Sequence, residues 1–275
     1  MSPVRVTKMS GAGNDFLVLG HDEGRRLARE TEWVRHVCRR RLSVGADGVL
    51  IVEPLGPDRV RVEFRNPDGS PAFCGNGTRC AARYARLRQW VGDSMTLETA
   101  AGEVRAELDD EQVRLTLPPP RGLGRPTIAF GDERLTGWWV DAGVPHFVVT
   151  VDSLDDAPLD RWGPVARRHT EFGRAGVNLD LVERKSEGRI HLRTWERGVE
   201  GETLACGSGA VAAAFAARQE GAAEELAVIP ASGVRLRVGL PGPREQPQAA
   251  VVTGDARVIF EGTLGADAVR GFEVS

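Results

Sequence analysis

Apolar and polar residues alternate with period two in Val60-Arg61-Val62-Glu63-Phe64 and again in Val234-Arg235-Leu236-Arg237-Val238. Successive side chains of a strand point to opposite faces, so these runs predict strands with one buried and one wet face. Similar runs predict strands at 4–9, 16–19, 49–53, 95–98, 103–108 and 113–117 in the first half of the chain. In the second half they fall at 138–141, 147–151, 179–183, 190–195, 226–229 and 249–252, with a last candidate at 257–262. Helices are fewer. Arg- and Glu-rich ones are predicted at 30–41 and 162–171, and an Ala-rich one opens after each of two Cys-Gly-x-Gly turns, at 74–77 and 206–209. Strand runs outnumber helices and no strict strand–helix alternation holds, which predicts an α+β fold rather than a doubly wound sheet.

These elements run twice in one order. Gly45-Ala46-Asp47-Gly48-Val49-Leu50-Ile51-Val52-Glu53 resembles Gly176-Val177-Asn178-Leu179-Asp180-Leu181-Val182-Glu183, and residues 12–18 resemble residues 143–149 at the same spacing. The two Cys-Gly-x-Gly turns match one residue further apart. A large internal duplication is the reading that accounts for all three. Pro118-Pro119-Pro120 followed by Arg121-Gly122-Leu123-Gly124 reads as the linker, because three prolines fit neither a helix interior nor a central strand. The halves are then 1–117, carrying Cys74, and 118–262, carrying Cys206, with the tail 263–275 expected to pack back on the first.

Composition narrows the function classes. At 275 residues, 41% hydrophobic and 27% charged, the chain is an ordinary globular one long enough for two cores. A net charge of −3 gives no electrostatic case for nucleic acid or an anionic membrane surface. No apolar run is long enough for a signal peptide or a membrane span, so the cytoplasm is the expected location. Four cysteines without a secretion signal are expected to stay reduced, and their spacing does not suit zinc, so no metal is expected. Lys8 and Lys185 are the only lysines, and neither has a phosphate-binding context, which argues against pyridoxal phosphate; no cofactor is expected. Gly207-x-Gly209-x-x-Ala212 fits a dinucleotide pattern formally, but no strand–helix–strand unit frames it.

A free cysteine is usually a small buried hydrophobe. That describes Cys38 and Cys80, which fall on apolar helix faces. It suits Cys74 and Cys206 badly, since each precedes Gly-x-Gly at a helix start. There the backbone N–H groups and the positive end of the helix dipole lower a thiol's pKa toward neutrality and bind an anion such as a carboxylate. One thiolate and one thiol on opposite faces of an α-carbon would serve as base and acid for its inversion. In the same reading Arg197 forks onto a second carboxylate and Glu196 accepts from an ammonium group. His146 tunes a nearby thiol, and Asn14, Asn66 and Asn178 sit beside turns. A hydrolase or acyltransferase with one cysteine and His146 as base remains an alternative.

The chain resembles the diaminopimelate epimerase family over essentially its whole length. The matching motifs are Lys8-Met9-Ser10-Gly11-Ala12-Gly13-Asn14-Asp15-Phe16, Arg65-Asn66-Pro67-Asp68-Gly69-Ser70, Cys74-Gly75-Asn76-Gly77-Thr78-Arg79-Cys80, Pro145-His146, Val177-Asn178, and Glu196-Arg197-Gly198 through Gly201-Glu202-Thr203-Leu204-Ala205-Cys206-Gly207-Ser208-Gly209-Ala210. The resemblance implies two pseudo-symmetric domains, each a mixed or antiparallel sheet wrapped around a central helix, with the active site in the cleft between them. It implies a homodimer and a pyridoxal-phosphate-independent interconversion of LL- and meso-diaminopimelate in lysine and peptidoglycan precursor synthesis. By the same resemblance Cys74 and Cys206 are the two bases, and Gly75, Asn76, Gly207 and Ser208 hold the reacting carboxylate. Asn14, Asn66, Asn178, Glu196 and Arg197 bind the rest of the substrate, and His146 with Glu196 modulates the thiols. Three features depart from the family pattern: Val144 where asparagine is common before Pro-His, Gly48 where glutamine is common, and a loop before Cys74 one residue shorter. A related two-cysteine racemase of histidine or proline is the alternative within this chemistry.

Overall fold

The computed structural model describes residues 4–28 and 30–269, which form two compact units. The first comprises the described residues up to 115 together with those from 254; the second is residues 116–253.

In the first unit the strand Val4–Gly11 pairs antiparallel with Asn14–Gly20, which runs parallel to Gly48–Gly56. That strand pairs antiparallel with Arg59–Arg65, whose other neighbours are the short antiparallel Pro71–Ala72 and the parallel Ser94–Thr99. Ser94–Thr99 then pairs antiparallel with Gly102–Asp109. The second unit repeats this sequence of pairings with Trp138–Asp141, Pro145–Thr150, Asn178–Ser186, Arg189–Glu196, Gly201–Thr203, Glu225–Pro230 and Leu236–Gly239. Even the register is kept. Phe16 lies opposite Gly48 as Phe147 lies opposite Leu179. A parallel pair needs a long crossover, and the crossovers into Ser94–Thr99 and Glu225–Pro230 are the Ala-rich helices that follow the cysteines.

Each of those helices is the centre of its unit. Gly75–Leu87 packs against the strands Val4–Gly11, Asn14–Gly20, Gly48–Gly56, Arg59–Arg65, Ser94–Thr99 and Gly102–Asp109. Gly207–Gln219 packs against the six counterparts in the second unit. A helix enclosed by sheet on all sides must be apolar all round and thin, which explains why positions 210–217 of the second are Ala, Val and Phe and all buried. Smaller clusters complete the cores. Trp33, Val34 and Val37 of the helix Thr31–Val37 pack on Leu17, Leu19 and Val49; Leu159 and Ala166 of the helix Leu159–Arg168 pack on Phe147, Leu179 and Leu181.

Three expectations change. The helix expected at 30–41 is only Thr31–Val37, and a further helix, His21–Ala28, precedes it. Only the prolines of the expected linker stay outside regular structure: Arg121–Gly124 pairs with Trp138–Asp141, and a hairpin of Thr127–Phe130 with Glu133–Thr136 follows. The strand Arg257–Leu264 pairs antiparallel with Val4–Gly11, so residues from 254 belong to the first unit rather than continuing the second to 262. Of the tail 263–275, Leu264 packs on the first unit's core and Ser43 Oγ donates to the Ala268 carbonyl at 2.5 Å; positions 270–275 lie outside the described residues. No helix among the described residues is long and apolar enough to cross a membrane.

Candidate active site

Cys74 and Cys206 are the N-caps of the two central helices. Each has extended backbone (φ −139°, ψ 112° and φ −117°, ψ 114°) and accepts through Sγ from the N–H three residues on: Gly77 at 3.5 Å and Gly209 at 3.4 Å. The sulfur thus does the work that a Ser or Asp oxygen does at an ordinary cap. The N–H groups of Gly75 and Asn76, and of Gly207 and Ser208, lie too early in their helices to reach an intrahelical carbonyl. Two donors without an intrahelical partner, beside a thiol at the positive end of a dipole, suit an anion such as a carboxylate. The second glycine of each motif lets the helix start pack closely on its own unit. A Cβ on Gly77 would meet Leu50 Cδ2 at 3.2 Å, and one on Gly209 would meet Asp180 Oδ1 at 2.8 Å.

The surroundings of the two thiols differ. Around Cys206, His146 and Asp180 are fully buried, and His146 Nδ1 lies 2.6 Å from Asp180 Oδ2. A carboxylate only accepts, so Nδ1 carries a proton toward it, and Nε2 is the ring nitrogen left to the other neighbours. Ser208 Oγ at 3.0 Å and Asn178 Nδ2 at 3.3 Å both reach that nitrogen, and Ser208 Oγ is also 3.4 Å from Cys206 Sγ. Thr194 Oγ1 donates to the other Asp180 oxygen at 2.6 Å. The Arg197 N–H donates to Asn178 Oδ1 at 2.7 Å, while Arg197 Nη1 reaches the Ala175 carbonyl at 3.4 Å. Burial pushes the Cys206 thiol well above its ordinary value, and the charges of Glu196 and Asp180 push it the same way; the bonds from Ser208 and Gly209 only partly offset them. The lowering expected from the helix terminus is therefore outweighed at this cysteine.

Around Cys74, Asn76 Nδ2 donates to Asn14 Oδ1 at 2.6 Å, and Thr78 donates to the Cys74 carbonyl through both N and Oγ1. Asn66 bonds within its own turn. Its N–H and Nδ2 donate to Ser70 O and Oγ, the ordinary part an asparagine plays there. Cys38 and Cys80 are the buried hydrophobes expected of them, each pushed up to about 12 by burial. Glu196 is half-buried at the end of its strand and acts on Cys206 through its charge.

Sequence reasoning passed over Asp180, Thr194 and Arg79. Asp180 is a carboxylate inside the wholly buried run Asn178-Leu179-Asp180-Leu181-Val182, and Arg79 is a fully buried guanidinium next to buried Thr78, Cys80, Ala81 and Ala82. A charge on a face that periodicity assigns to the core was the available signal.

Two half-chains of one topology, each with a cysteine capping its central helix, are here the frame of an isomerase of the epimerase type. The family described as diaminopimelate epimerase matches residues 6–120 and 138–259, and the chain belongs to that family. It is 36% identical over 277 residues to diaminopimelate epimerase of Aquifex aeolicus (strain VF5), covering 96% of this chain and 98% of the relative. To that of Archaeoglobus fulgidus it is 35% identical over 286 residues, covering 97% and 98%. The fold is also that of a probable proline racemase from Agrobacterium radiobacter K84 (TM-score 0.70, 19% identity, 96% and 93% covered). A Bacillus anthracis phenazine biosynthesis protein of the PhzF family shares it too (TM-score 0.71, 18% identity, 96% and 99% covered).

Proposed function

We propose that Cys74 and Cys206 are the two acid/base groups with which this epimerase interconverts LL- and meso-diaminopimelate, a step of lysine and peptidoglycan precursor synthesis. The observation that carries the reading is the repeated cap. Both thiols occupy the same place relative to a helix terminus, each beside two donors suited to one carboxylate. In one direction a thiolate removes the α-proton while the opposing thiol delivers its own proton to the other face of the carbon. One S–H bond forms, one breaks, and the thiolate and thiol exchange identities. The developing negative charge spreads into the α-carboxylate, where the N–H groups of Gly75, Asn76, Gly207 and Ser208 meet it. Asn14, Asn66, Asn178, Glu196 and Arg197 hold the remainder of the substrate, and His146 with Glu196 sets the protonation of Cys206.

Solvent deuterium entering the α-carbon of LL-diaminopimelate, followed in Cys74→Ala and Cys206→Ala separately, tests the pairing. Each variant is expected to lose at least about 10³-fold in turnover; full activity in either one overturns the two-base reading. Turnover of L-proline or L-histidine in place of diaminopimelate would instead point to a related racemase.

The reading includes a homodimer in the cytoplasm. The free thiols suit a reducing compartment. The strand Arg257–Leu264 exposes Val258, Ile259 (57%) and Phe260 (44%), an apolar stretch that a second copy would cover. A monomeric mass by sedimentation would sink the dimer.

A further inference from the structure

All four asparagines of the chain are Asn14, Asn66, Asn76 and Asn178, and two of them form part of a one-way chain of hydrogen bonds. Arg79 Nη2 donates to Asn76 Oδ1 at 2.8 Å, Asn76 Nδ2 donates to Asn14 Oδ1 at 2.6 Å, and Asn14 Nδ2 donates to Asp47 Oδ2 at 3.0 Å. An amide flanked by neutral groups can flip and exchange its O and N–H ends. These two cannot. A guanidinium at one end has only protons to give, and a carboxylate at the other has only lone pairs to receive them. Both ends are themselves held: Arg79 is fully buried, with Nε on the Asp255 carbonyl at 3.3 Å, and Asp47 Oδ1 accepts from Arg40 Nη2 at 2.8 Å. The backbone N–H of Asp15 also donates to Asp47 Oδ2, at 3.2 Å.

The polarity decides what the site presents. Asn76 is buried and takes the Asn14 oxygen inward; Asn14 and Asp47 are half-buried. The amide nitrogen of Asn14 is therefore turned to half-buried Asp47 with one proton, which leaves the second for another acceptor. We propose that Arg79, acting through Asn76, and Asp47, bonded directly to Asn14, are positioning residues that fix Asn14 as an N–H donor, so that this part of the site selects a hydrogen-bond-accepting group such as a carboxylate over an ammonium. The inference rests on Asn14 being a substrate-binding residue, as read above. It adds two residues that touch no substrate and a direction that the presence of an asparagine alone leaves open.

Because the chain has four asparagines, protein labelled with ¹⁵N only at asparagine shows four side-chain amide pairs in an NMR spectrum, assignable through Asn14→Ala and Asn76→Ala. In the wild type the Asn14 and Asn76 pairs are expected to exchange slowly with solvent. In Asp47→Asn the Asn14 pair is expected to exchange at least about tenfold faster, the loss of one bond to a charged group. Arg79→Met should do the same to Asn76. With LL-diaminopimelate, Asp47→Asn is expected to raise KM about tenfold and change kcat less than about threefold, with Asp47→Glu recovering part of the loss. Freely exchanging Asn14 and Asn76 amides in the wild type overturn the relay whatever the activity. An Asp47→Asn protein with altered Asn14 signals but unchanged KM overturns the selection. Locked amides in a wild type that does not turn over diaminopimelate would sink the functional reading and leave the relay standing. Should Arg79→Met not fold, Asp47→Asn, an isosteric change at a half-exposed position, still decides.

Discussion

Cys74 and Cys206 cap their helices with nearly the same backbone and the same sulfur-to-amide bond, yet the buried charge behind them has opposite sign. Behind Cys74 lies the guanidinium of Arg79, which burial disfavours and which Cys80, Cys74 and Asp255 help to keep charged. Behind Cys206 lie the carboxylates of Asp180 and Glu196 with the imidazole of His146. Duplication supplied one backbone twice; the charges diverged on top of it. The difference teaches that the two thiols are alike in geometry and unlike in what their surroundings favour. The second unit holds its sulfur protonated, and the first places a cation near its own.

Removing the second unit's carboxylate is the strongest way to break that contrast short of deleting a cysteine. Asp180→Asn keeps the shape but not the obligatory acceptor for His146 Nδ1, so the imidazole is free to turn its proton toward Ser208. A loss of about 10²-fold in kcat is expected, in line with the contribution of an oriented acid/base group. Steady-state kinetics, with circular dichroism to confirm folding, checks it. Activity within a factor of two of the wild type would mean that the buried His146–Asp180 pair serves packing alone.

Alkali separates the thiols in a second way. The folded proteins's buried thiols at Cys38 and Cys80 are pushed up to about 12, and that of Cys206 is also raised, against an ordinary value of 9.0. A raised folded value stabilises the fold fully below the unfolded value. Above about 9 the unfolded chain loses thiol protons first, so this stabilisation falls as pH rises toward 12. Melting temperature should therefore drop between pH 9 and 11, and less steeply in Cys80→Ala than in the wild type. Parallel slopes would contradict it. Under native conditions at pH 8, iodoacetamide should label half-exposed Cys74 before the three buried cysteines.

Much of this was legible in the chain. The period-two strands, both helix-capping cysteines and the duplication itself rest on local signals that the fold preserves. What escaped notice depends on contacts distant in sequence. The equivalent strand positions 49 and 180 are valine and aspartate, and nothing in the local pattern says that the second finds His146 and Thr194 while the first packs in an apolar cluster. The helix His21–Ala28 is half charged, carries a glycine and has Leu27 as its one large apolar residue, too little for a helical period to stand out. Asn66 was legible in both its parts: the turn expected of it is there in its bonds to Ser70, beside the substrate contact proposed for its motif.

The smallest effect lies in the glycines beneath the two sulfurs, and it isolates the packing from the charge. In both Gly77→Ala and Gly209→Ala the new methyl adds intrinsic helix propensity worth up to about 1 kcal/mol. In the first unit it meets Leu50 Cδ2 at 3.2 Å and Phe16 Cε1 at 3.4 Å, ends of side chains that can give by a few tenths of an ångström. In the second it meets Asp180 Oδ1 at 2.8 Å and Thr194 Oγ1 at 3.1 Å, atoms already tied to each other by a hydrogen bond and therefore unable to move singly. Gly209→Ala is expected to destabilise by about 1–3 kcal/mol, as overpacking does, and Gly77→Ala to fall within about 1 kcal/mol of neutral. Paired denaturant titrations measure the difference directly. Equal losses in the two variants would show that the helix starts are enclosed with the same stiffness, and that the polar network around Asp180 adds no rigidity to the second unit.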